Sequence, residues 1–341
     1  MTIPALGLDP DAASGHVQDV APVLQVEDLA VTFFTPTGPV HVLIGVDLTV
    51  NAGEILGIVG ESGSGKSVTA LSIVRLLPQQ GRITNGRVLF QDQDLVPIPI
   101  QAVRRIRGNE ISMIFQNPRS SLNPVFRVGT LMREVLRVHG GFRRAKADEQ
   151  AMRLLADVGL PDPASVLRRY PHQLSGGMAQ RVMIALALAS SPRLLIADEP
   201  TTALDVTIQH QIIVLLKRLR AERGLTQIVI THNLGVVAEL CDRVAVMYAG
   251  TIVEDGPTVA IFDEPRHPYT RGLLAARART DTTTILASIP GQVPDLRQRP
   301  RGCPFHPRCP FARPICSEVK PALDQVGPRH RAACHFWREI A

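Results

Sequence analysis

The chain has 341 residues, 45% of them hydrophobic and 20% charged, with a formal net charge of +6. This is globular composition, which excludes a disordered or collagen-like chain, and the length fits one large α/β unit with a smaller domain appended. The longest clean apolar run, VMIALALA at 182–189, is short of the roughly 18 residues that span a bilayer, and the basic residues are dispersed, so neither a membrane span nor a nucleic-acid surface is expected.

The N-terminal MTIPALGLDPDAASGHVQDV carries Asp9 and Asp11 where a signal peptide would be apolar, and residues 1–22 read as a flexible extension. VLQVEDLAVTFF and VHVLIGVDLTV read as strands, with Val46, Leu48 and Val50 alternating. GEILGIV is a more fully apolar strand that leads straight into GESGSGKS and then into VTALSIVRLL, a helix that Pro78 should stop. NGRVLFQDQDL suggests a hairpin strand. GTLMREVLRVHG and AKADEQAMRLLADVG place apolar residues at helical spacing and end at glycines, which predicts a helical subdomain over about 117–190. RLLIADEP, IQHQIIVLLKRLRAERG and TQIVITH then predict strand, helix, strand, hence a mainly parallel sheet. After about Asp263 proline, arginine and cysteine dominate and periodicity fades, which puts a boundary near 265 and leaves 266–341 as a small Cys-rich domain.

Three stretches carry chemistry. GESGSGKS fits G-x-x-x-x-G-K-S through Gly60, Gly65, Lys66 and Ser67. Its glycines let backbone N–H groups curl round phosphates, Lys66 can reach the outer phosphates and Ser67 can ligate Mg²⁺. Ser62, Gly63, Ser64 and Val68 complete this candidate phosphate cradle. In LLIADEP, Asp198 emerges at the end of a buried strand as a Mg²⁺ holder, and Glu199 can polarise an attacking water. Ser175, Gly176 and Gly177 open a helical stretch and offer a second anion site.

The tail spaces its thiols Cys303-x5-Cys309-x6-Cys316-x17-Cys334. Four soft ligands match a [4Fe–4S] cluster, and the C-x2–4-C knuckles usual for zinc are absent. Zinc, an opportunistic disulfide and no metal at all stay open beside that expectation, and His306, His330 and His335 lie near enough in sequence to substitute as ligands.

The P-loop at 60–67, Phe115–Gln116, LSGGMAQR at 174–181, LLIADEP at 194–200, ALD at 203–205 and Thr231–His232 occur in the order and spacing of one family. Together they resemble the nucleotide-binding subunit of an ATP-binding cassette (ABC) transporter, over roughly 23–265. The resemblance implies a P-loop NTPase α/β core with a parallel sheet, an N-terminal antiparallel β subdomain and a helical subdomain, binding ATP and Mg²⁺ between two subunits. It implies Glu199 as catalytic base, Gln116 as sensor of metal and attacking water, and His232 on the γ-phosphate. Ser175 and Gly177 would reach the partner subunit's nucleotide, Asp205 would communicate across the dimer, and Phe34 is the candidate for stacking on adenine. Asn117 and Asn233 stand where the family commonly has an acidic residue.

FQNPRSSLNPVFRVG, HPYTRGLLAA and the proline-rich tail narrow the resemblance to the oligopeptide/dipeptide and nickel importer ATPases. That implies two membrane permeases, a second and paralogous ATPase, an extracytoplasmic peptide-binding protein, no nucleic-acid partner, and a peripheral place on the cytoplasmic face of the cell membrane. Some members of that family hold an iron–sulfur cluster in the C-terminal region. Nickel or another small solute is the alternative cargo. A non-transport ABC ATPase acting on nucleic acid is the distant alternative, disfavoured by a single cassette without a long coiled-coil insertion.

Overall fold

A computed structural model describes residues 21–202, 204–276 and 289–340; all but the last two residues of the expected N-terminal extension lie outside them. β1 (Pro22–Thr35) and β2 (Gly38–Asn51) form a long hairpin. After β3 (Ile55–Val59) and α1 (Lys66–Ile73), β4 (Gly81–Phe90) and β5 (Gln93–Asp94) complete an antiparallel sheet in the order β2-β1-β4-β5. The alternation expected of β2 is observed, with Val46, Leu48 and Val50 buried between exposed Asp47 and Thr49. α1 ends at Ile73, before Pro78, because the chain turns left-handed at Arg75 (φ 51°), whose guanidinium donates to the carbonyls of Leu95 and Ile98 at 3.0 and 2.6 Å.

α2 (Ile100–Ile106) and β6 (Ile111–Ile114) lead into a run of helices: α3 (Pro118–Ser121), α4 (Val128–Gly140), α5 (Arg144–Asp157), α6 (Pro163–Arg168) and α7 (Gly176–Ala187). α4 stops at left-handed Gly141, whose N–H returns to the Leu136 carbonyl. β7 (Leu194–Asp198), α8 (Val206–Arg223) and β8 (Thr226–Ile230) alternate as the pattern predicts, and α9 (Leu234–Leu240) and β9 (Arg243–Tyr248) continue the alternation. β10 (Thr251–Pro257), α10 (Thr258–Asp263), α11 (Pro268–Ala275), α12 (Pro314–Glu318), β11 (Asp324–Gly327) and β12 (His330–Ala332) follow.

The second sheet runs β11-β12-β10-β9-β3-β8-β7-β6. From β9 to β6 every pairing is parallel, whereas β10, β12 and β11 add antiparallel strands, so the sheet is mixed. The tail that looked irregular in sequence thus extends the main sheet, β12 docking on β10 at Glu254 and Asp255. β3, β7 and β8 are buried at every residue because both faces are covered, which is why they read as unbroken apolar runs. Leu194, Ile196, Ile228 and Ile230 face the antiparallel sheet, while Leu195, Ala197 and Val229 face the helices. Two apolar layers therefore clamp the strands whose C-terminal ends carry the chemistry. Among the described residues no helix is long and apolar enough to cross a membrane.

Candidate functional site

The P-loop leaves β3 at Gly60 and enters α1 at Lys66, with Gly60, Gly63 and Gly65 all at positive φ. Gly60 is irreplaceable on space as well as conformation: a Cβ there would sit 2.2 Å from the Met247 carbonyl oxygen. The Lys66 ammonium is buried and donates to the carbonyls of Gly60 (2.8 Å) and Glu61 (2.9 Å). Burial lowers its pKa, opposed by the carboxylates of Glu199, Asp198 and Glu61.

Asp198 ends β7, where its carboxyl pKa is raised, chiefly by burial, against a hydrogen bond from Ser67. Its Oδ1 is buried with no hydrogen-bond partner among the described residues. An orphaned carboxylate oxygen beside a serine hydroxyl fits a hard divalent cation such as Mg²⁺. Glu199 follows in the left-handed region, φ 52°, with its N–H donating to the Ile230 carbonyl at 2.8 Å. A non-glycine residue holds that conformation at a cost of about 1 kcal/mol or more. Here both carboxylate oxygens are held: Thr202 Oγ1 donates to Oε2 at 2.6 Å, and His232 Nδ1 lies 2.7 Å from Oε1. With Nδ1–H donating to the carboxylate, Nε2 is left for a ligand.

One open cavity of ≈ 720 Å³ is lined by Ser62, Gly63, Gly65, Lys66, Ser67, Val68, Gln116, Glu199 and His232, together with Val42 and Leu296. Nine of the expected residues thus converge. Gly60, Ser64 and Asp198 lie behind this lining, as buried supports of the loop and of β7. Phe34 is half exposed at the far end of β1 and is not among the lining residues.

Ser175, Gly176, Gly177 and Asp205 lie outside this cavity. Ser175 caps α7 by accepting from the Met178 N–H at 3.3 Å, and Asp205 caps α8 by accepting from Ile208 at 2.9 Å. The two departures from the acidic pattern also cap: Asn117 accepts from the Ser120 N–H at α3, and Asn233 from the Gly235 N–H at α9.

The four tail cysteines are free and line one small apolar cavity with Phe305 and Phe336. Burial pushes the thiols of Cys303 and Cys334 up to about 11, and the neighbouring thiols add to it. Among the described residues, however, no group of three or more His, Cys, Asp or Glu is arranged to hold a metal ion. The expected [4Fe–4S] ligand set is therefore not assembled in this arrangement, and burial raises the thiol pKa of Cys303, Cys309 and Cys334, whereas metal ligation requires thiolates. The histidines offered as substitutes are engaged elsewhere, His306 Nδ1 with the Cys303 carbonyl, His335 Nε2 with the Val319 carbonyl and His330 Nε2 with Glu254.

The sequence reading missed Arg308. Its side chain, 5% exposed, makes a bidentate pair with Glu61 of the P-loop (2.7 and 3.1 Å) and also reaches the Tyr248 hydroxyl. Tyr269 Oη accepts the Glu61 N–H at 2.8 Å. No local pattern announces these partners, since 247 residues separate Arg308 from Glu61.

Comparison with known proteins places this geometry. Residues 43–202 match the ABC transporter family and residues 253–316 match the oligopeptide/dipeptide transporter C-terminal region. A Brucella abortus protein named as a peptide import ATP-binding protein is 50% identical over 94% of this chain and 98% of its own. The oligopeptide transport ATP-binding protein OppD of Salmonella typhimurium is 48% identical over 95% and 96%. Among solved structures, a dimeric ATP-binding cassette in a post-hydrolysis state with ADP and Pi superposes with a TM-score of 0.63 at 28% identity, covering 69% of this chain and 98% of that one. The chain belongs to the ABC transporter ATP-binding proteins, in the branch that carries the oligopeptide/dipeptide transporter C-terminal region.

Proposed function

We propose that this chain hydrolyses ATP to drive the import of di- or oligopeptides, as a peripheral subunit on the cytoplasmic face of a membrane complex. The observation that carries the reading is one cavity in which a strained Glu199 carboxylate, Gln116 and His232 face a phosphate-binding loop, in a chain half identical along nearly its whole length to peptide-import relatives. Two permeases, a paralogous ATPase and an extracytoplasmic peptide-binding protein complete the proposed complex.

In this reading the P-loop N–H groups and Lys66 bind the phosphates, and Ser67 and Asp198 would hold Mg²⁺, which supplies charge neutralisation on the phosphates. Glu199, oriented by Thr202 and His232, accepts a proton from the attacking water, and Gln116 helps position that water. Ser175 and Gly177, outside the cavity of their own chain, serve the nucleotide bound by the partner ATPase, and Asp205 communicates across the dimer. Phe34, exposed on β1, remains the proposed stacking aromatic.

The decisive experiment is co-purification from membranes followed by ATPase assays with di- and oligopeptides, nickel and other small solutes in the presence of the binding protein. Stimulation by peptides is expected. Stimulation by nickel alone moves the cargo to the alternative.

The thiol cavity supports a second element of the proposal, a [4Fe–4S] cluster on Cys303, Cys309, Cys316 and Cys334. Four free thiols round one cavity are the right donors, and such a cluster would supply a cross-link for a proline-rich region. Anaerobically purified protein is expected to be brown, with roughly four irons and matching sulfide per chain; colourless, iron-free protein overturns this element and leaves the ATPase reading untouched.

A further inference from the structure

The nucleotide cavity is lined from two directions. The loop, Gln116, Glu199 and His232 provide polar groups suited to phosphates, metal and water. What remains is aliphatic: Val42 on β2, Val68 on α1, and Leu296, which comes from the C-terminal region more than two hundred residues after the P-loop.

Leu296 sits in a 3₁₀ turn, Leu296–Gln298, capped by Asp295, whose carboxylate accepts from the Arg297 N–H at 2.9 Å. The segment that carries it is pinned at both ends. At one end Arg308 donates to the carbonyls of Pro290 (2.8 Å) and Ile289 (3.2 Å) while gripping Glu61 of the P-loop. At the other, Arg299 donates to the His41 carbonyl on β2 at 3.2 Å. Between these pins Ile289, Val293 and Leu296 pack on the main core. The segment is thus a strap fixed both to the phosphate loop and to the strand that supplies Val42.

We propose that Leu296, with Val42, forms the wall against which the base and ribose of the nucleotide rest, so that the C-terminal region is part of the nucleotide site and Arg299 and Arg308 are positioning residues for it. A triphosphate alone would leave this aliphatic wall facing water; the base and sugar are the parts of the substrate with apolar surface to cover it. The inference rests on the ATP-binding part of the proposed function and is independent of cargo and cluster.

The test compares ATP with inorganic tripolyphosphate, which shares the phosphates and lacks the base, on the assembled transporter. Leu296→Ala should raise the KM for ATP by roughly tenfold, the loss of about one partly buried aliphatic contact, with kcat within about twofold of wild type. Inhibition by tripolyphosphate should not change, and Leu296→Met should recover most of the ATP affinity. Arg299→Ala, which frees the strap from β2, should shift ATP in the same direction and spare tripolyphosphate. An unchanged KM, or equal weakening of ATP and tripolyphosphate, overturns the proposal, since the second result means that the P-loop and not the base wall was disturbed. Because ATP affinity is also measured by titration without peptide, absence of peptide stimulation would count against the import reading alone.

Discussion

The nucleotide cavity and the thiol cavity are both lined by reactive groups, but they manage charge in opposite ways. Around the first, charge is compensated within the protein: Lys66 stands among Glu199, Asp198 and Glu61, and Glu199 is itself held by Thr202 and His232. The second has four thiols against Phe305 and Phe336, and burial raises the pKa of Cys303, Cys309 and Cys334. The first is therefore preorganised by opposing charges before substrate arrives, whereas burial in the second disfavours the thiolate form of Cys303, Cys309 and Cys334. The nucleotide cavity carries its own counter-charges, whereas the thiol cavity sets its four thiols against aromatic rings.

The largest expected effect breaks catalysis while leaving the architecture alone. Glu199→Gln keeps the size of the side chain and one accepting oxygen but removes the carboxylate that takes the proton. ATPase activity of the assembled complex should fall on the order of 10²- to 10⁴-fold, with ATP still bound. Wild-type turnover in that variant would remove Glu199 from the mechanism.

Next comes the seam where the main sheet meets the β2 strand. Gly250, at φ 78° between β9 and β10, receives the Ile44 N–H and donates to the Ser64 carbonyl of the P-loop. A Cβ there would lie 1.9 Å from the Val42 carbonyl oxygen. Gly250→Ala should destabilise the protein by about 3 kcal/mol and weaken ATP binding with it, as read by denaturant unfolding and titration. A neutral substitution would mean that β2 is free to move away from the P-loop.

The Arg308–Glu61 pair joins the two cavities, one residue before Cys309 on one side and one after Gly60 on the other. Removing Arg308 strands a carboxylate that is 29% exposed, so the cost should sit below that of a fully buried pair. Arg308→Ala is expected to lose about 2 kcal/mol, and Glu61→Gln on top of it to lose little more. Additive losses in that cycle would show that the pair does not act as a unit.

These cases mark what the sequence could and could not reveal. The P-loop was legible because its glycines, Lys66 and Ser67 are neighbours in the chain and their conformational demands are local. The buried strands were legible because covering both faces leaves an unbroken apolar run. The left-handed backbone at Glu199 was not, since glutamate gives no hint of positive φ and the support comes from Thr202 and His232 after folding. Arg308, Arg299 and Leu296 were not, because their meaning depends on partners brought together by the docking of β12 on β10 and of the C-terminal region on β2. The four cysteines revealed a donor set, but spacing does not specify the arrangement of side chains within the cavity they share.

The smallest predicted effect concerns pH and the buried base of the C-terminal region. His267 is fully buried, its Nδ1 accepts the Tyr269 N–H at 3.1 Å, and burial lowers its pKa to about 4, partly offset by Glu254. Glu254 in turn accepts from the backbone N–H groups of Arg266 and His267 and faces His330 Nε2 at 2.8 Å. In the unfolded chain His267 protonates near its ordinary value of about 6.5. Between these values the unfolded state binds the extra proton, so the contribution of this group to stability is complete above about pH 6.5 and declines as pH falls toward 4. The loss at pH 5.5 should be about 1 kcal/mol. His267→Asn keeps an acceptor for Tyr269 and removes the titration, so its stability should decline less than that of wild type from pH 7 to 5.5. Comparison of the two slopes, by urea unfolding with the thiols kept reduced, isolates this histidine from His330 and the carboxylates, which are common to both proteins. Equal slopes would mean that His267 gains a proton in the folded state as readily as in the unfolded one, and that the junction beneath the thiol cavity is wetter than its burial implies.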